Sequence, residues 1–490
     1  MRTWPRHPLI YEINTRVWLG ELSRTYKRPM NLATVSEQEW DSIASHGFDA
    51  VWFMGVWQRS PAGIEISMRN QGLLEDFRRA LPDFAPADNA GSPYCVRRYV
   101  VDDNLGGPPG LAAAREKLAE RGIRLLLDFV PNHVAPDHRW VSTHPEYFIQ
   151  GDDEDLRRAP ASFIAAGGKV LACGRDPYFP AWPDVLQLNA FDPGLRSAAV
   201  ETVQRIAAQC DGVRCDMAML MMSDVFERTW GSRAGARPAE DYWPTLIAAV
   251  RSRYPEFRFM AEAYWDLEWA LQQQGFDFCY DKQLYDRMEH APAETVRLHL
   301  CAGLDYQEKL VRFIENHDEP RAAATFTPKK HRAVAVTALT LPGARLIHEG
   351  QMDGRRVRLP VFLARRPKEP PDAELHAFYR YLLDALRRGD FLQGFWQLCE
   401  QTGWPDNAGY LNLVSWCWRK GDSRCLVVVN LSDAPSQGLV LVPWDDLKGG
   451  VSRLKDVFTA AIYDRNGDEM CGSGLYVDLP AWGFHFLEWL

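Results

Sequence analysis

Short apolar runs alternate with amphipathic stretches from residue 9 to about residue 388. The apolar runs have the length of buried strands, and the amphipathic stretches have the apolar spacing of helices. Strands that alternate with helices are typical of a parallel sheet. Eight strands are predicted, at 9–14, 49–55, 124–130, 212–216, 257–263, 276–280, 311–316 and 344–348. Because eight such repeats close on themselves, the pattern predicts an α/β fold, a (β/α)8 TIM barrel.

Helical periodicity is clearest in six of the intervening stretches, 34–45, 110–121, 195–210, 242–253, 331–341 and 374–387. The connections between strands and helices are uneven in length. About fifty residues separate His133 from Asp184, and insertions of this kind lie over the catalytic face of a barrel. We therefore expect a small inserted subdomain after the third strand, at about 134–183.

The pattern changes beyond Gly389 to short alternating strands separated by polar turns. The predicted strands there are 411–418, 425–430, 438–442, 475–479 and 484–489. Alternation of apolar and polar positions indicates antiparallel strands with one buried face. The chain is thus predicted to have a catalytic barrel domain at 1–388 and a C-terminal antiparallel β-sandwich domain at 389–490.

Composition narrows the class of ligand. The 490 residues carry a net charge of -9, with a pI near 5.8 and 46% apolar residues. There is no basic run and no basic amphipathic helix, which argues against nucleic acid or an anionic membrane as a partner. No apolar run reaches the roughly 20 residues that a membrane span needs. A neutral ligand is expected, and the oligomeric state stays open.

The ten cysteines are scattered singly, without a CxxC pair or the short spacing of a zinc site. Several of them, including Cys215, Cys279 and Cys425, lie in apolar runs and are interpreted as small buried hydrophobes. The N-terminal residues contain no apolar secretion segment. Together these features predict a reducing, cytoplasmic location.

Polar side chains directly follow four of the predicted strands. The segment Asp128-Phe-Val-Pro-Asn132-His133 resembles a buried strand that breaks at Pro131 and delivers polar residues to its carboxyl end. The same design recurs at 212–216, 259–262 and 313–318. Active sites of such barrels lie at the carboxyl ends of the strands, so these four endings predict a catalytic site.

Three of these endings contain carboxylates, and an ionised carboxylate at the end of a buried strand needs a partner. Arg214 lies two residues before Asp216 on the same side of its strand, which favours the charged, nucleophilic form of Asp216. Glu262 has only apolar sequence neighbours, so its pKa is expected to be raised, as a general acid requires. One ionised and one protonated carboxyl group make the pair that cleaves glycosidic bonds.

These segments resemble the conserved regions of the α-amylase family of glycoside hydrolases, family 13. The family pattern Asp-x-x-x-Asn-His is met by Asp128, Asn132 and His133, and Gly-x-Arg-x-Asp by Gly212, Arg214 and Asp216; Glu262 matches the acid/base glutamate, and Asn-His-Asp-x-x-Arg is met by Asn316, His317, Asp318 and Arg321. A weaker fifth region resembles 184–189. The similarity covers residues 9 to 388 in the order of the family.

The resemblance implies a role for each matched residue. Asp216 would be the nucleophile that forms a covalent glycosyl-enzyme, Glu262 the acid/base and Asp318 the residue that stabilises the transition state, with retention of the α configuration. The substrate-binding residues would be Tyr94, His133, Arg214, His317 and Arg321. The structural residues beside the site would be Asp128, Asn132 and Asn316.

Trp57, at the end of the second strand, and Trp265, three residues after Glu262, are further candidates for substrate binding, since tryptophan rings suit sugar stacking. No cofactor is required by the implied chemistry. Calcium is a possible ligand, because Asn132 matches a family position that often binds it. Asp152, Asp153 and Glu154 in the insertion are interpreted as a solvated acidic turn.

Many starch-degrading members carry Lys-His where this chain has Met219 and Leu220. From the four motifs, the leading hypothesis is a retaining glycoside hydrolase that cleaves α-glucosidic bonds in neutral oligosaccharides or α-glucans. The alternative is a transglycosidase or phosphorylase of the same fold that acts on a short α-glucoside. A non-catalytic sugar-binding or partner protein would be expected to have lost the carboxylates, which this chain keeps.

Overall fold

The structure is a computed structural model that describes residues 3–490. Its strands up to residue 348 are β1 (Leu9–Asn14), β2 (Ala50–Met54), β3 (Trp57–Arg59), β4 (Val96–Val101), β5 (Arg124–Phe129), β6 (His133–Val134), β7 (Gln150–Gly151), β8 (Phe163–Ala166), β9 (Lys169–Gly174), β10 (Trp182–Gln187), β11 (Gly212–Cys215), β12 (Arg258–Ala261), β13 (Phe278–Tyr280), β14 (Leu310–Arg312) and β15 (Ala344–His348). The later strands are β16 (Phe395–Leu398), β17 (Gln401–Thr402), β18 (Leu413–Lys420), β19 (Ser423–Asn430), β20 (Ser436–Val440), β21 (Val451–Asp456), β22 (Ile462–Asn466), β23 (Leu475–Leu479) and β24 (Phe484–Trp489).

The α-helices are α1 (Thr15–Thr25), α2 (Glu37–Ser45), α3 (Pro61–Arg69), α4 (Gln71–Ala80), α5 (Gly107–Glu120), α6 (Trp140–Thr143), α7 (Asp153–Arg158), α8 (Pro193–Ala207), α9 (Ser223–Trp230), α10 (Tyr242–Arg251), α11 (Glu268–Gln273), α12 (Lys282–His290), α13 (Ala293–Leu300), α14 (Leu304–Gln307), α15 (Ala322–Thr325), α16 (Pro328–Thr340), α17 (Ala373–Arg388) and α18 (Gly467–Glu469). Short 3-10 turns lie at Pro86–Asp88, Asp103–Leu105, Pro145–Tyr147, Ala218–Met221, Gly231–Ala234, Asp390–Gln393, Ala408–Asn412 and Asp445–Leu447, and a π-turn at Met470–Gly474. None of the helices in residues 3–490 combines the length and the apolar character that a bilayer span requires.

Eight strands form a closed parallel barrel in the order β1-β15-β14-β13-β12-β11-β5-β2. The predicted TIM barrel is confirmed, and each of its eight predicted strands overlaps an observed one. Strands β5, β11 and β12 pair in parallel, with Cys215 opposite both Phe129 and Ala261. Because neighbouring strands end at matching positions, the residues that follow them emerge side by side.

Most predicted strands extend past the observed ends. The clearest case is the predicted strand 311–316, whose observed counterpart β14 stops at Arg312. Beyond it the Asn316 Oδ1 accepts hydrogen bonds from the backbone N–H groups of Asp318 and Glu319, at 2.9 and 3.0 Å. Such a side-chain turn competes with the strand ladder, and an apolar run alone does not reveal it.

The predicted insertion after the third barrel strand is a small sheet of order β6-β10-β9-β7, with β8 paired to β9. Its strands lie between residues 133 and 187. Buried side chains under this sheet include Val134, Trp140, Leu171 and Leu186. The acidic turn predicted at Asp152–Glu154 is the start of α7, where the Asp152 side chain accepts from the Asp155 N–H as a helix cap.

The C-terminal strands form two antiparallel sheets, β16-β18-β19-β24-β21-β22 and β17-β20-β23. Side chains from both sheets share one apolar core, which includes Leu426 and Val428 of the larger sheet and Val440 and Val477 of the smaller. This is the predicted antiparallel β-sandwich. Strands β16, β17, β21 and β22 were not predicted, because their exposed and polar positions give no clear apolar alternation.

The chain divides into two compact units. The first contains mainly Ile10–Tyr280 with Val357–Lys368, and the second contains Asp281–Arg356 with Glu369–Leu490. Within the second unit, the C-terminal sheets pack on barrel helices, and the Trp418 Nε1 donates to the Thr340 carbonyl at 2.8 Å. The boundaries predicted at 388/389 and at 134–183 stay predictions.

Gly343 precedes β15 and allows a close approach of two backbones. Its φ is +108°, and a Cβ there would lie 2.3 Å from the Leu310 carbonyl oxygen. We predict that Gly343→Ala lowers the free energy of unfolding by about 3 kcal/mol or more, through steric overlap added to the cost of the left-handed backbone.

Gly421 provides the control, because its φ is +57° but a Cβ would meet nothing within 4 Å. Gly421→Ala should cost only about 1 kcal/mol. Thermal unfolding of both variants checks this, and equal losses would contradict the close approach at Gly343.

Candidate active site

Two carboxylates stand side by side at the ends of neighbouring barrel strands. Asp216 follows β11 and Glu262 follows β12, and the last paired residues of these strands are Cys215 and Ala261. The ladder continues one residue further, because the Glu262 N–H donates to the Cys215 carbonyl at 3.0 Å. The register of the sheet therefore brings the predicted nucleophile and the predicted acid together.

One buried guanidinium contacts both carboxylates. The Arg214 Nη1 lies 2.6 Å from Asp216 Oδ1, and its Nη2 lies 2.8 Å from Glu262 Oε2. The prediction that Arg214 pairs with Asp216 is confirmed. The expectation that Glu262 lacks a nearby cation is wrong, since the cation comes from the adjacent strand, where Arg214 is opposite Met260.

Aromatic rings surround the Arg214 guanidinium. Its Cζ lies 5.0 Å from the ring centroid of Tyr94, 5.4 Å from that of Trp52 and 5.8 Å from that of Tyr280. Burial opposes the charge, but the Glu262 carboxylate and these surroundings raise the pKa of Arg214 well above its usual value. Arg214 is thus a fixed cation whose guanidinium is removed from water.

Glu262 is held by further donors. The Met217 N–H donates to Glu262 Oε2 at 2.6 Å, and the Tyr264 hydroxyl donates to Oε1 at 3.0 Å. Met217 has a φ of +43°, which lets its backbone turn toward the carboxylate. Both oxygens of Glu262 are therefore fixed in direction before any ligand binds.

Asp128 has the structural role that its position in the motif implies. Its side chain accepts from Trp52 Nε1 at 3.1 Å and from the Gly55 N–H at 2.8 Å. Its backbone carbonyl accepts from Trp57 Nε1 at 2.8 Å. Trp57 itself is only 1% exposed, so it packs in the core and does not line a cleft as predicted.

His133 is buried close to Asp216, on the strand that opens the insertion. Burial lowers the pKa of His133, while Asp216 and the Tyr94 backbone act in the opposite direction. The ring is therefore neutral at pH 7. Its edge packs against Trp182, with ring centroids 5.3 Å apart.

Asn132 was predicted as a possible calcium ligand, and its surroundings do not fit a cation. Its Oδ1 accepts a hydrogen bond from Gln187 Nε2 at 2.9 Å. Calcium prefers several oxygen ligands, carboxylates among them. Over residues 3–490 no three His, Cys, Asp or Glu side chains converge in a way that could hold a metal ion.

The residues of the fourth motif form a group in the second compact unit. His317 Nε2 lies 3.0 Å from Asp318 Oδ2, and the Asp318 side chain is 41% exposed. Arg321 is buried and contacts Glu315, His348 Nδ1 and the Glu349 carbonyl. Arg321 therefore braces the loop after β14, and its guanidinium is already engaged by protein groups.

Buried Glu315 is the acidic partner in that group. Burial opposes its ionisation, but Arg321 and His348 hold the pKa of Glu315 below its usual value. The sequence did not single out Glu315, because its position before Asn316 looked like part of a strand.

An aromatic pair adjoins the loop of Glu262. The ring centroids of Trp265 and Tyr178 lie 4.8 Å apart in an edge-to-face arrangement. Trp265 and Asp266 both have left-handed backbones, with φ of +62° and +61°. Tyr178 is exposed and comes from the insertion, where the buried Asp176 carboxylate accepts from the Tyr178 N–H at 2.7 Å. Strained backbone that presents an aromatic ring is typical of ligand sites.

Comparison with known families agrees with this geometry. Residues 41–357, well over half of the chain, match the family described as "Alpha amylase, catalytic domain". The chain belongs to the α-amylase family. The family recognised from the motifs is confirmed.

Relatives in this family include hydrolases and a transferase. Alpha-amylase MalA of Haloarcula japonica is 25% identical over 367 residues, which are 72% of this chain and 45% of that protein. The alpha-1,4-glucan:maltose-1-phosphate maltosyltransferase of Bifidobacterium longum is 26% identical over 250 residues, covering 49% of this chain and 28% of that protein. The chain thus spans less than half the length of both relatives.

The solved structure of maltogenic alpha-amylase AmyB from Thermotoga neapolitana has the same fold. It superposes with a TM-score of 0.70 at 19% identity, over 99% of this chain and 98% of that one. The likeness in fold therefore extends along nearly the whole chain.

Three residues near the site were not predicted: Gln187, Tyr178 and Tyr264. Gln187 lies in the segment that resembles the fifth family region, so the resemblance marked its position. Glutamine as a residue type did not indicate a role there. Tyr264 lies two residues after Glu262 and Tyr178 lies in the insertion, and their roles depend on loop geometry that the sequence pattern does not encode.

Asp184 is a buried carboxyl group on β10 that provides a pH test. Burial raises the pKa of Asp184 from 3.8 to about 6. The folded protein therefore keeps a proton that the unfolded chain releases at lower pH, and stability falls as pH rises from about 4 to 6. This burial costs roughly 3 kcal/mol above pH 7.

We predict that Asp184→Asn unfolds at higher denaturant concentration than the parent at pH 7.5. Its advantage in free energy of unfolding should shrink by roughly 1 kcal/mol at pH 5. Asp406→Asn, at an exposed position, is the control and should show no such trend. A pH-independent difference for Asp184→Asn would contradict the assignment.

Proposed function

We propose that this protein is a retaining glycosidase that cleaves α-glucosidic bonds in neutral α-glucans or oligosaccharides through a covalent intermediate. The observation that carries the proposal is the Arg214 guanidinium, which contacts Asp216 at 2.6 Å and Glu262 at 2.8 Å. Retaining enzymes need two carboxyl groups about 5 Å apart. One guanidinium that contacts both carboxylates agrees with that spacing.

In the first step, the Asp216 oxygen that is not bound to Arg214 attacks the anomeric carbon. The bond to the glycosidic oxygen breaks, and the protonated form of Glu262 gives its proton to that oxygen. In the second step, water attacks the anomeric carbon, Glu262 takes a proton from the water, and the bond to Asp216 breaks. Each step inverts the configuration at the anomeric carbon, so the product keeps the α configuration.

The other site residues serve these two steps. Arg214 keeps Asp216 oriented and offsets its charge in a site with little water. Neutral His133 can donate to a sugar hydroxyl without a competing positive charge. Asp318, which is partly exposed, is proposed to stabilise the oxocarbenium-like transition state, and His317 to bind hydroxyls beside it.

A transferase is the second candidate, and one observation favours keeping it. The segment after the nucleophile carries Met219 and Leu220, both fully or nearly fully buried. No polar side chain at these positions can bind the leaving sugar, so the acceptor side is less defined than in starch-degrading members. A sugar or a phosphate could then take the place of water at the second step.

The proposed steps use no metal, and the groups around Asn132 do not fit one. We also propose a reducing compartment such as the cytoplasm. This is supported by the ten cysteines, which are all free thiols, eight of them buried. Disulfides stabilise proteins mainly in oxidising compartments.

The nucleophile is tested by Asp216→Asn, which should lower kcat at least about a thousandfold without unfolding the protein. The matched control is Asp406→Asn, an exposed aspartate that should keep full activity. Circular dichroism and thermal unfolding verify the fold. Near-normal turnover by Asp216→Asn would overturn the nucleophile assignment.

The reaction class is tested with maltose, maltotriose to maltoheptaose, sucrose, trehalose, isomaltose and soluble starch, with and without phosphate. Proton NMR of the anomeric region should show α-anomeric products before mutarotation. Longer oligomers or a sugar phosphate would identify the transferase instead. β-Anomeric products would refute retention.

The Trp265–Tyr178 pair is proposed to bind the leaving portion of the substrate, because it adjoins the acid that protonates the glycosidic oxygen. Trp265→Ala should lower kcat/KM for maltoheptaose relative to maltotriose by about tenfold, which equals roughly 1.4 kcal/mol. Trp404→Ala removes an exposed tryptophan whose ring packs against Tyr476, and it serves as the control. An unchanged ratio in Trp265→Ala would exclude this role.

A further inference from the structure

Gln187 joins three segments beside the site by hydrogen bonds from one buried amide. Its Nε2 donates to the Asn132 backbone carbonyl at 3.0 Å, to Asn132 Oδ1 at 2.9 Å and to the Leu188 carbonyl at 3.0 Å. Its Oε1 accepts from Asn132 Nδ2 at 3.2 Å and from the Arg175 N–H at 3.3 Å. The Gln187 side chain is completely buried.

Three carbonyl oxygens thus converge on one neutral nitrogen. They belong to Asn132, which supplies two, and to Leu188. Converging carbonyl oxygens are typical calcium ligands, but a calcium site also needs negative charge and several further oxygens. Here the two N–H groups of Gln187 serve the same oxygens, and the Asn132 backbone carbonyl also accepts from the Leu188 N–H at 3.0 Å.

We propose that Gln187 occupies the place of a structural cation and is a positioning residue for the active site. Its amide fastens the end of the third barrel strand, at Asn132, to the insertion, at Arg175. The protein therefore holds this junction without a metal. The metal-free junction rests on the fold alone, and the positioning role rests on the proposed function.

The junction reaches two groups that face substrate in the proposed function. His133 is opposite Gln187 in the antiparallel pairing of β6 and β10, and its Nδ1 lies 3.3 Å from Asn132 Nδ2. On the other side, Arg175 begins the loop that presents Tyr178. Gln187 therefore holds both Asn132, whose amide adjoins the His133 ring, and the start of the aromatic loop.

The parent protein gives the first test. After exhaustive dialysis against EDTA, its Tm should be unchanged, and added CaCl2 should not raise it. A Tm that falls on chelation and returns with calcium would overturn the proposal. This measurement needs no substrate, so its result is separate from the question of activity.

Gln187→Glu gives the second test. The carboxylate has nearly the same shape but no N–H, so it faces three carbonyl oxygens with a negative charge and creates the oxygen cluster that a cation prefers. The variant should melt several degrees below the parent in EDTA. Its Tm should then rise with calcium concentration, as ligand linkage requires. A lowered Tm that calcium does not restore would contradict the proposal.

Two further variants complete the design. Gln187→Ala removes the hydrogen bonds without adding charge, so it should be destabilised with or without calcium. Gln209→Glu is the matched control, because the Gln209 Nε2 donates to a single carbonyl, that of Arg205, at 3.0 Å. It should respond neither to EDTA nor to calcium. A calcium response in Gln187→Ala equal to that of Gln187→Glu would show that the new carboxylate is not the ligand.

A positioning role also predicts a kinetic signature that global loss of stability would not produce. If the panel of glucosides identifies a substrate, Gln187→Glu in EDTA should lose kcat at temperatures well below its Tm, and calcium should restore it. Restoration of Tm without restoration of kcat would refute positioning of the active site and leave only a structural bridge.

Discussion

The site depends on the need to neutralise one buried cation. Arg214 lies on a barrel strand with its guanidinium removed from water, and an unpaired charge there would cost several kcal/mol. Asp216, at the end of the same strand, and Glu262, at the end of the adjacent strand, both contact this guanidinium. The parallel register of β5, β11 and β12 is what makes this possible, because it ends the strands at the same level.

Around this charge the polar groups are arranged in fixed pairs that leave little freedom. Asp128 holds the indole of Trp52 and the backbone of Gly55, and Gln187 holds Asn132. Such networks stabilise a fold to the extent that their members are satisfied. The insertion is mostly exposed at its outer edge. The amide pair of Gln187 and Asn132 connects it to the barrel.

Alternation of apolar and polar positions predicted five of the C-terminal strands. Periodicity predicted the barrel and its eight strands, because buried barrel strands are apolar over their whole length. The carboxylates at the strand ends could be predicted for the same reason, since a charged residue interrupts such a run visibly. The contacts that these side chains make across strands could not be predicted from the sequence. That Arg214 reaches Glu262, or that Trp57 points into the core, depends on register and side-chain direction, which the linear pattern does not contain.

The two consecutive left-handed residues after Glu262 have a consequence for how this loop can change in evolution. Trp265 and Asp266 each occupy a backbone region that disfavours residues with a Cβ, at a cost of roughly 1–2 kcal/mol apiece. Glycine at position 266 would relieve part of that strain and make the folded protein more stable. It would also loosen the chain that aims the Trp265 ring, so selection for stability alone and selection for the sugar contact proposed for Trp265 would act on this position in opposite directions.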